Sequence, residues 1–206
     1  MAENPKSIPD WQATLSQDPV MAALIQTEKS IDQEAHEDIY LSLLGSIISQ
    51  QLSTKVARVI RNRFLDLFTG GYPEPKAVLA QSDETLRSVG LSYQKLGYIR
   101  NAATFALAGH LDYTLIGQME DEALIKHLTQ VNGVGRWTAE MILMFTLSRP
   151  DVFPIDDLGI QNAMKKLYGL NLSGKVLQAE MIRIGESWRP YRTLASRYLW
   201  QSLDNK

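Results

Sequence analysis

The residues best placed to do chemistry lie in Leu128-Thr-Gln-Val-Asn-Gly-Val-Gly-Arg-Trp-Thr-Ala-Glu140 and in Phe153-Pro-Ile-Asp-Asp157. Gly133-Val134-Gly135 stands between two apolar runs of helical spacing and predicts a tight hairpin. The first N–H groups of a helix lack intrahelical acceptors, and the helix dipole favours an anion there. The start of the second hairpin helix is therefore a natural seat for a phosphate. Asp157 follows twenty residues past Trp137, on a turn that opens another helix. A phosphate grip with a carboxylate downstream points to a reaction on a nucleic acid, and not to attachment alone.

The elements that must position these groups read as helix nearly throughout. Ile39, Tyr40, Leu43, Leu44, Ile47 and Ile48 recur at helical spacing, and Val56, Val59, Ile60, Phe64, Leu67 and Phe68 do so again. Gly70-Gly71 and the prolines at 73 and 75 break the pattern. Ser82 is placed to cap a short helix ending at Gly90, and Ser92 to cap the next, through Leu96, Ile99 and Ala103. The spacing predicts hairpin helices over 121–128 and 137–147, then helices near 158–168, 175–185 and 190–201. No period-2 alternation is long enough for a strand, and no repeat of solenoid length is present.

Composition narrows the class. The 206 residues make one or two small domains, and 45% hydrophobic content allows a real core. No run reaches the ~18–20 apolar residues that span a bilayer, and Met1-Ala-Glu-Asn-Pro-Lys6 lacks the basic and apolar regions of a signal peptide, so an intracellular location is expected. With no cysteine, disulfides, thiolate zinc sites and iron–sulfur clusters are excluded. Net charge is −2 but uneven: residues 1–40 carry 2 basic and 8 acidic side chains, residues 158–206 carry 8 and 3. The acidic N-terminus is expected to face away from a nucleic acid. A chain so near neutral should make few phosphate contacts and show a shallow salt dependence. His36, His110 and His127 are far apart in sequence, without ligand-like spacing, and suggest no catalytic metal.

Five motifs in order, Ser49-Gln-Gln-Leu-Ser-Thr-Lys55, Gly90-Leu-Ser92, the glycine hairpin, the Asp157 loop and Trp188-Arg-Pro-Tyr-Arg192, resemble the helix-hairpin-helix (HhH-GPD) superfamily of DNA glycosylases. The resemblance runs from about Tyr40 to Trp200 and is closest to the 3-methyladenine DNA glycosylase II branch. It implies an all-α, two-lobed fold with the active site in the interlobe cleft. Residues 36–152 would form a helical barrel lobe carrying the hairpin, and residues 1–35 with 153–206 the second lobe. Larger relatives of this branch add an N-terminal β-rich domain, for which the chain has no room, so the compact form is implied. The absent cysteines set the chain apart from relatives of the endonuclease III branch that carry a cluster.

The resemblance also implies roles. Asp157, matching the family's Asp-x-x-[Ile/Val/Met] through Ile160, is the expected catalytic carboxylate; its neighbour Asp156 is the expected structural one. Breaking an N-glycosidic bond builds positive charge on the sugar, which a fixed carboxylate stabilises. The bland alternative is that either Asp merely caps a helix. Trp137 stands where lyase-active relatives have a Lys that forms a Schiff base, and an indole cannot, so a monofunctional enzyme using water is implied. Trp137 and Trp200, with Met141 where some relatives have Tyr, are the expected base pocket. An indole face attracts a cationic methylated purine by roughly 0.5–2 kcal/mol. Core packing is the alternative for Trp137, and packing of a terminal helix with Trp188 and Tyr198 for Trp200. Leu52 is the expected wedge that fills the gap left by a flipped base, Gln51 the contact to the orphaned partner, and Ser53, Thr54 and Lys55 further DNA contacts beside it. The alternative is an ordinary helix–helix turn. Gly133, Gly135 and Arg136 would meet phosphates. Main-chain carbonyls of Thr129, Val131 and Val134 would hold a structural Na+ or K+; no cofactor is required.

The expected function is therefore hydrolytic excision of alkylated, mainly methylated, purines from double-stranded DNA by a monomer, with no membrane involved, in the nucleoid of a bacterium or the nucleus of a eukaryote. A non-catalytic helix-hairpin-helix binding module is the alternative, opposed by Asp157 and Trp137 at their spacing. A glycosylase-lyase for oxidised bases is opposed by Trp137.

Overall fold

The structure, a computed structural model, describes residues 11–28, 31 and 38–204. Residues 1–10, 29–30 and 32–37 of the acidic N-terminal stretch, His36 among them, lie outside the described residues. Among them every regular element is helical, and no helix is long and apolar enough to cross a membrane. The chain forms two compact units, one from Met1–Glu34 with Ser148–Lys206 and one from Ala35–Leu147.

The helices in chain order are α1 (Trp11–Leu15), α2 (Pro19–Thr27), α3 (Ile39–Ser49), α4 (Thr54–Leu65), α5 (Pro75–Ala80), α6 (Asp83–Ser88), α7 (Tyr93–Leu107), α8 (Tyr113–Gly117), α9 (Asp121–Leu128), α10 (Arg136–Met141), α11 (Leu158–Tyr168), α12 (Gly174–Gly185) and α13 (Arg192–Asp204). A π-helical turn, Ile142–Thr146, continues α10.

In the 35–147 unit α3 buries Ile39, Tyr40, Leu43, Leu44, Ile47 and Ile48, the same set its periodicity marks. It packs on α4 and α7, and α7 also packs on α5. Ser82 and Ser92 cap α6 and α7 through Oγ, accepting the amides of Thr85 and Lys95 at 3.1 and 3.2 Å. Pro75, which reads in sequence as a breaker, instead opens α5: at the first helical position its missing N–H costs nothing and its fixed φ suits the helix.

In the other unit α11 and α2 pack on α13. The core includes Leu15, Met21, Ile160, Met164, Leu177, Met181, Trp188 and Leu199, each burial worth roughly 1.5–3 kcal/mol. Asp18 joins its pieces. Its Oδ1 caps α2 at the Val20 amide (2.8 Å), and its Oδ2 accepts the Trp188 indole N–H (2.9 Å) and the Tyr168 hydroxyl (2.7 Å). Burial, and then that carboxylate, push the Tyr168 phenol far above its ordinary pKa.

The expected separation of the histidines does not hold for two of them. His127 on α9 lies against His110, rings 5.8 Å apart, with its Nε2 2.7 Å from the His110 carbonyl and Phe105 beside both. The loop after α7 folds back onto α9, which sequence distance does not report.

Candidate functional site

Pro154 and the turn after it bring Asp157 to the N-cap of α11, in extended conformation. Its Oδ1 accepts the Ile160 amide at 2.8 Å and the Trp200 indole N–H at 2.8 Å. The carboxylate thus does cap a helix and is also held from α13. Asp156, more exposed, takes Gln178 Nε2 at 2.6 Å, so the two adjacent carboxylates have separate environments. The segment leading to Asp157 is anchored by the Trp188–Arg192 motif. Arg192 donates to Asp151 Oδ1 (2.7 Å) and to its carbonyl (2.9 Å), and Arg189 to Asp151 Oδ2. Thr193 Oγ1 donates to the Arg149 carbonyl (2.6 Å) and accepts the buried Val152 amide (2.9 Å).

In the 35–147 unit the hairpin runs from α9 through Gly133 (φ +87°) and Gly135 into α10. Gly133 cannot be replaced without strain: its φ is left-handed, and a Cβ would overlap the Tyr98 ring. Its carbonyl accepts Gln50 Nε2 at 2.7 Å. Lys95 Nζ donates to the carbonyls of Ile48 and Gln50, both at 2.7 Å, closing the C-terminal end of α3. Burial holds the Lys95 ammonium below its ordinary pKa. Gln50, Lys95 and Tyr98 thus tie the Gln51–Lys55 turn to the hairpin. Nothing in the sequence signalled this link, since Gln50 and Gly133 are 83 positions apart.

Gln51 sits at φ +59°, a left-handed conformation uncommon for a side chain of this kind, at a turn whose residues 51–55 are all exposed, Leu52 by 36%. Ser53 caps α4 at a long 3.4 Å to the Val56 amide. Trp137 is exposed by 47%, so it does not fill the core. Within this unit it lines a cavity of about 1040 Å3 with Met141, Phe145, Gln50, Gln51 and Arg61. The cavity brings together Trp137 and Met141, both expected in the base pocket, with Gln51, expected instead at the orphaned base, and with Phe145 and Arg61, which no motif marked; Trp200, also expected in the base pocket, belongs to the other unit.

Arg136 is engaged within the protein. It donates to both Glu122 oxygens (2.5 and 3.0 Å) and to Glu140 at 2.9 Å. The hydrogen bond to Glu122 raises the guanidinium pKa further and holds the Glu122 carboxyl below its usual range. The network braces α9 against α10. In the loop between them the Val131 carbonyl accepts the Val134 amide at 3.0 Å. Carbonyl oxygens of Thr129, Val131 and Val134 are hard neutral donors, the kind a monovalent cation takes in place of water.

Residues 44–188 match the model of the HhH-GPD superfamily of base excision DNA repair proteins. The chain is 32% identical over 172 residues to a putative DNA-3-methyladenine glycosylase of Bacillus subtilis, covering 81% of this chain but only 59% of that protein. It is 35% identical to DNA-3-methyladenine glycosylase 1 of Schizosaccharomyces pombe, covering 79% of this chain and 72% of the relative. The solved structure of the S. pombe 3-methyladenine DNA glycosylase in complex with abasic DNA superposes with a TM-score of 0.82 at 30% identity, over 94% of this chain and 96% of that one. The chain belongs to the HhH-GPD superfamily. Among its members it is similar to the 3-methyladenine DNA glycosylases.

Proposed function

We propose that this protein is a monofunctional DNA glycosylase that excises alkylated, mainly methylated, purines from double-stranded DNA by hydrolysis of the N-glycosidic bond. It initiates base excision repair and acts as a monomer. The observation that carries the reading is the Asp157 carboxylate, fixed at the start of α11 by two N–H donors on one oxygen. As the bond to the base lengthens, positive charge grows on the sugar. A carboxylate already oriented stabilises that charge without reorganising, and directs water to the sugar carbon. The base leaves with the bonding electron pair. A purine methylated to a cation becomes neutral as it leaves, so the enzyme needs only to hold it and support the sugar.

The remaining residues serve capture. Gly133 and Gly135 bring backbone N–H groups to a phosphate. The carbonyls of Thr129, Val131 and Val134 would hold a Na+ or K+, which would supply positive charge beside that phosphate. Leu52 fills the gap left by the extruded nucleotide, Gln51 meets the orphaned base, and Ser53, Thr54 and Lys55 contact the strand beside them. The cavity beside Trp137 and Met141 receives the base, and the indole face favours a cation. Trp137 in place of an amine leaves water as the nucleophile.

The test is incubation with methylated duplex DNA and separation of released purines. The expected products are free methylpurines and a strand intact on a denaturing gel until alkali or heat is applied. Binding without released base would make the protein a non-catalytic DNA module. A nick without alkali, or a borohydride-trapped covalent complex, would overturn the monofunctional mechanism.

A further inference from the structure

The two hydrogen bonds on Asp157 Oδ1 have different origins. The Ile160 amide donates at 2.8 Å, as any helix cap requires. The Trp200 indole N–H, also at 2.8 Å, comes from a residue 43 positions later on α13, and the helix does not need it. Space is cleared for it. A Cβ at Gly159 would lie 2.9 Å from Trp200 Cδ1, 3.1 Å from its Nε1 and 3.0 Å from Asp157 Oδ1, so a side chain there would push the two partners apart. The Trp200 ring is half-buried and packs against the core that contains Leu199, Ile160 and Trp188, which fixes its donor in space.

A single cap bond leaves a carboxylate rotation about its terminal torsion, which is broad. A second donor on the same oxygen, carried by an anchored ring, removes that freedom. We infer that Trp200 is a positioning residue for Asp157: its indole N–H fixes the carboxylate, and Trp200 contributes to base release through that bond, not by stacking on the excised base. This assignment rests on the reading of Asp157 as the carboxylate that acts at the sugar. It departs from the family-based expectation that Trp200 is a base-pocket wall, and it gives Gly159 a function, since only glycine admits the pair.

The experiment compares single-turnover base release and DNA affinity for the full chain and four variants, Trp200→Phe, Trp200→Leu, Asp157→Asn and the double variant Asp157→Asn/Trp200→Phe, on duplex carrying 7-methylguanine. Trp200→Phe keeps an aromatic face and loses only the donor. It should lower the rate about 10- to 100-fold, the range expected for a lost hydrogen bond to a charged group, with affinity nearly unchanged. Trp200→Leu should match it, and adding Trp200→Phe to Asp157→Asn should cost nothing more. A Phe variant at the wild-type rate beside a crippled Leu variant would show stacking and overturn the assignment. So would full additivity with Asp157→Asn, the pattern of a structural role at a distance. A near-wild-type Asp157→Asn would overturn the reading of Asp157 itself, whatever Trp200 does. A second measurement needs no Trp200 variant. In a 15N-edited spectrum the Trp200 indole proton should move upfield on Asp157→Asn while those of Trp11, Trp137 and Trp188 stay in place. An unmoved Trp200 signal would contradict the bond.

Discussion

Asp157 and Ser53 each stand just before a helix and each accept the backbone N–H three residues on, Asp157 at 2.8 Å and Ser53 at 3.4 Å. Around Asp157 the structure is over-determined. Trp200 adds a second donor, and Asp151 with Arg189, Arg192 and Thr193 pins the preceding segment. Around Ser53 it is loose. Residues 51–55 are exposed, and Gln51 is held at φ +59°. The contrast fits two tasks. A group that acts on charge present only in a transition state gains from being fixed beforehand. A wedge that enters a duplex must be exposed, and completes its contacts only on DNA. The strain at Gln51 is the kind of backbone outlier that gathers at working sites.

The link between the exposed turn and the hairpin, Gln50 to the Gly133 carbonyl, gives the sharpest way to break this contrast. Gly133→Leu should weaken binding to damaged and undamaged duplex alike by roughly 10- to 100-fold, the equivalent of one or two lost hydrogen bonds to a charged phosphate. Gln50→Ala should act in the same direction but less, since it leaves the Gly133 backbone intact. Equal binding by fluorescence anisotropy with lost turnover would mean the hairpin is not the phosphate grip.

Trp137→Leu keeps bulk at the cavity and removes the π-face. It should lower excision of 7-methylguanine relative to hypoxanthine by roughly 2- to 30-fold, the range of a cation–π contribution. An unchanged ratio of single-turnover rates in a folded variant would remove Trp137 from lesion recognition. Ser53→Ala should cost about 1 kcal/mol or less by chemical denaturation, because the cap bond is long and exposed. A larger loss would mean that the turn is as firmly held as the one at Asp157. Gln51→Gly should have the smallest effect on stability. Glycine accepts the left-handed backbone but loses more entropy on folding, so the melting temperature should hold or rise by roughly 2 °C. A fall would show that the Gln51 side chain, not its backbone, secures the turn.

Much of this was legible in the sequence because it is local. The buried stripe of α3, the bounds of α9 and α11 and the serine caps of α6 and α7 follow from side chains within a turn of one another. The short helices α1, α5 and α8 carry too few residues for a period, and Pro75 reads as a stop when it is a start. Asp157 was legible as a cap and a carboxylate. Its partner Trp200 and the Gln50–Gly133 bond were not, because contacts spanning 43 and 83 positions leave no periodic trace. Arg136 reads as a phosphate contact from its place after Gly135; its pairing with Glu122 and Glu140 depends on how α9 lies against α10.

The most direct test separates the helix cap that Asp157 makes from the catalytic role proposed for it. Serine caps helices as well as aspartate but carries no charge. Asp157→Ser should therefore melt close to wild type and bind lesion DNA within a few-fold, while single-turnover release of 7-methylguanine falls by about a thousandfold or more, the scale of losing a group that acts only in the transition state. The matched Asp156→Ser variant should stay within about tenfold of wild type. Release by Asp157→Ser at near the wild-type rate would reduce Asp157 to a helix cap. A dead Asp156→Ser beside an active Asp157→Ser would move the chemistry to the neighbouring carboxylate.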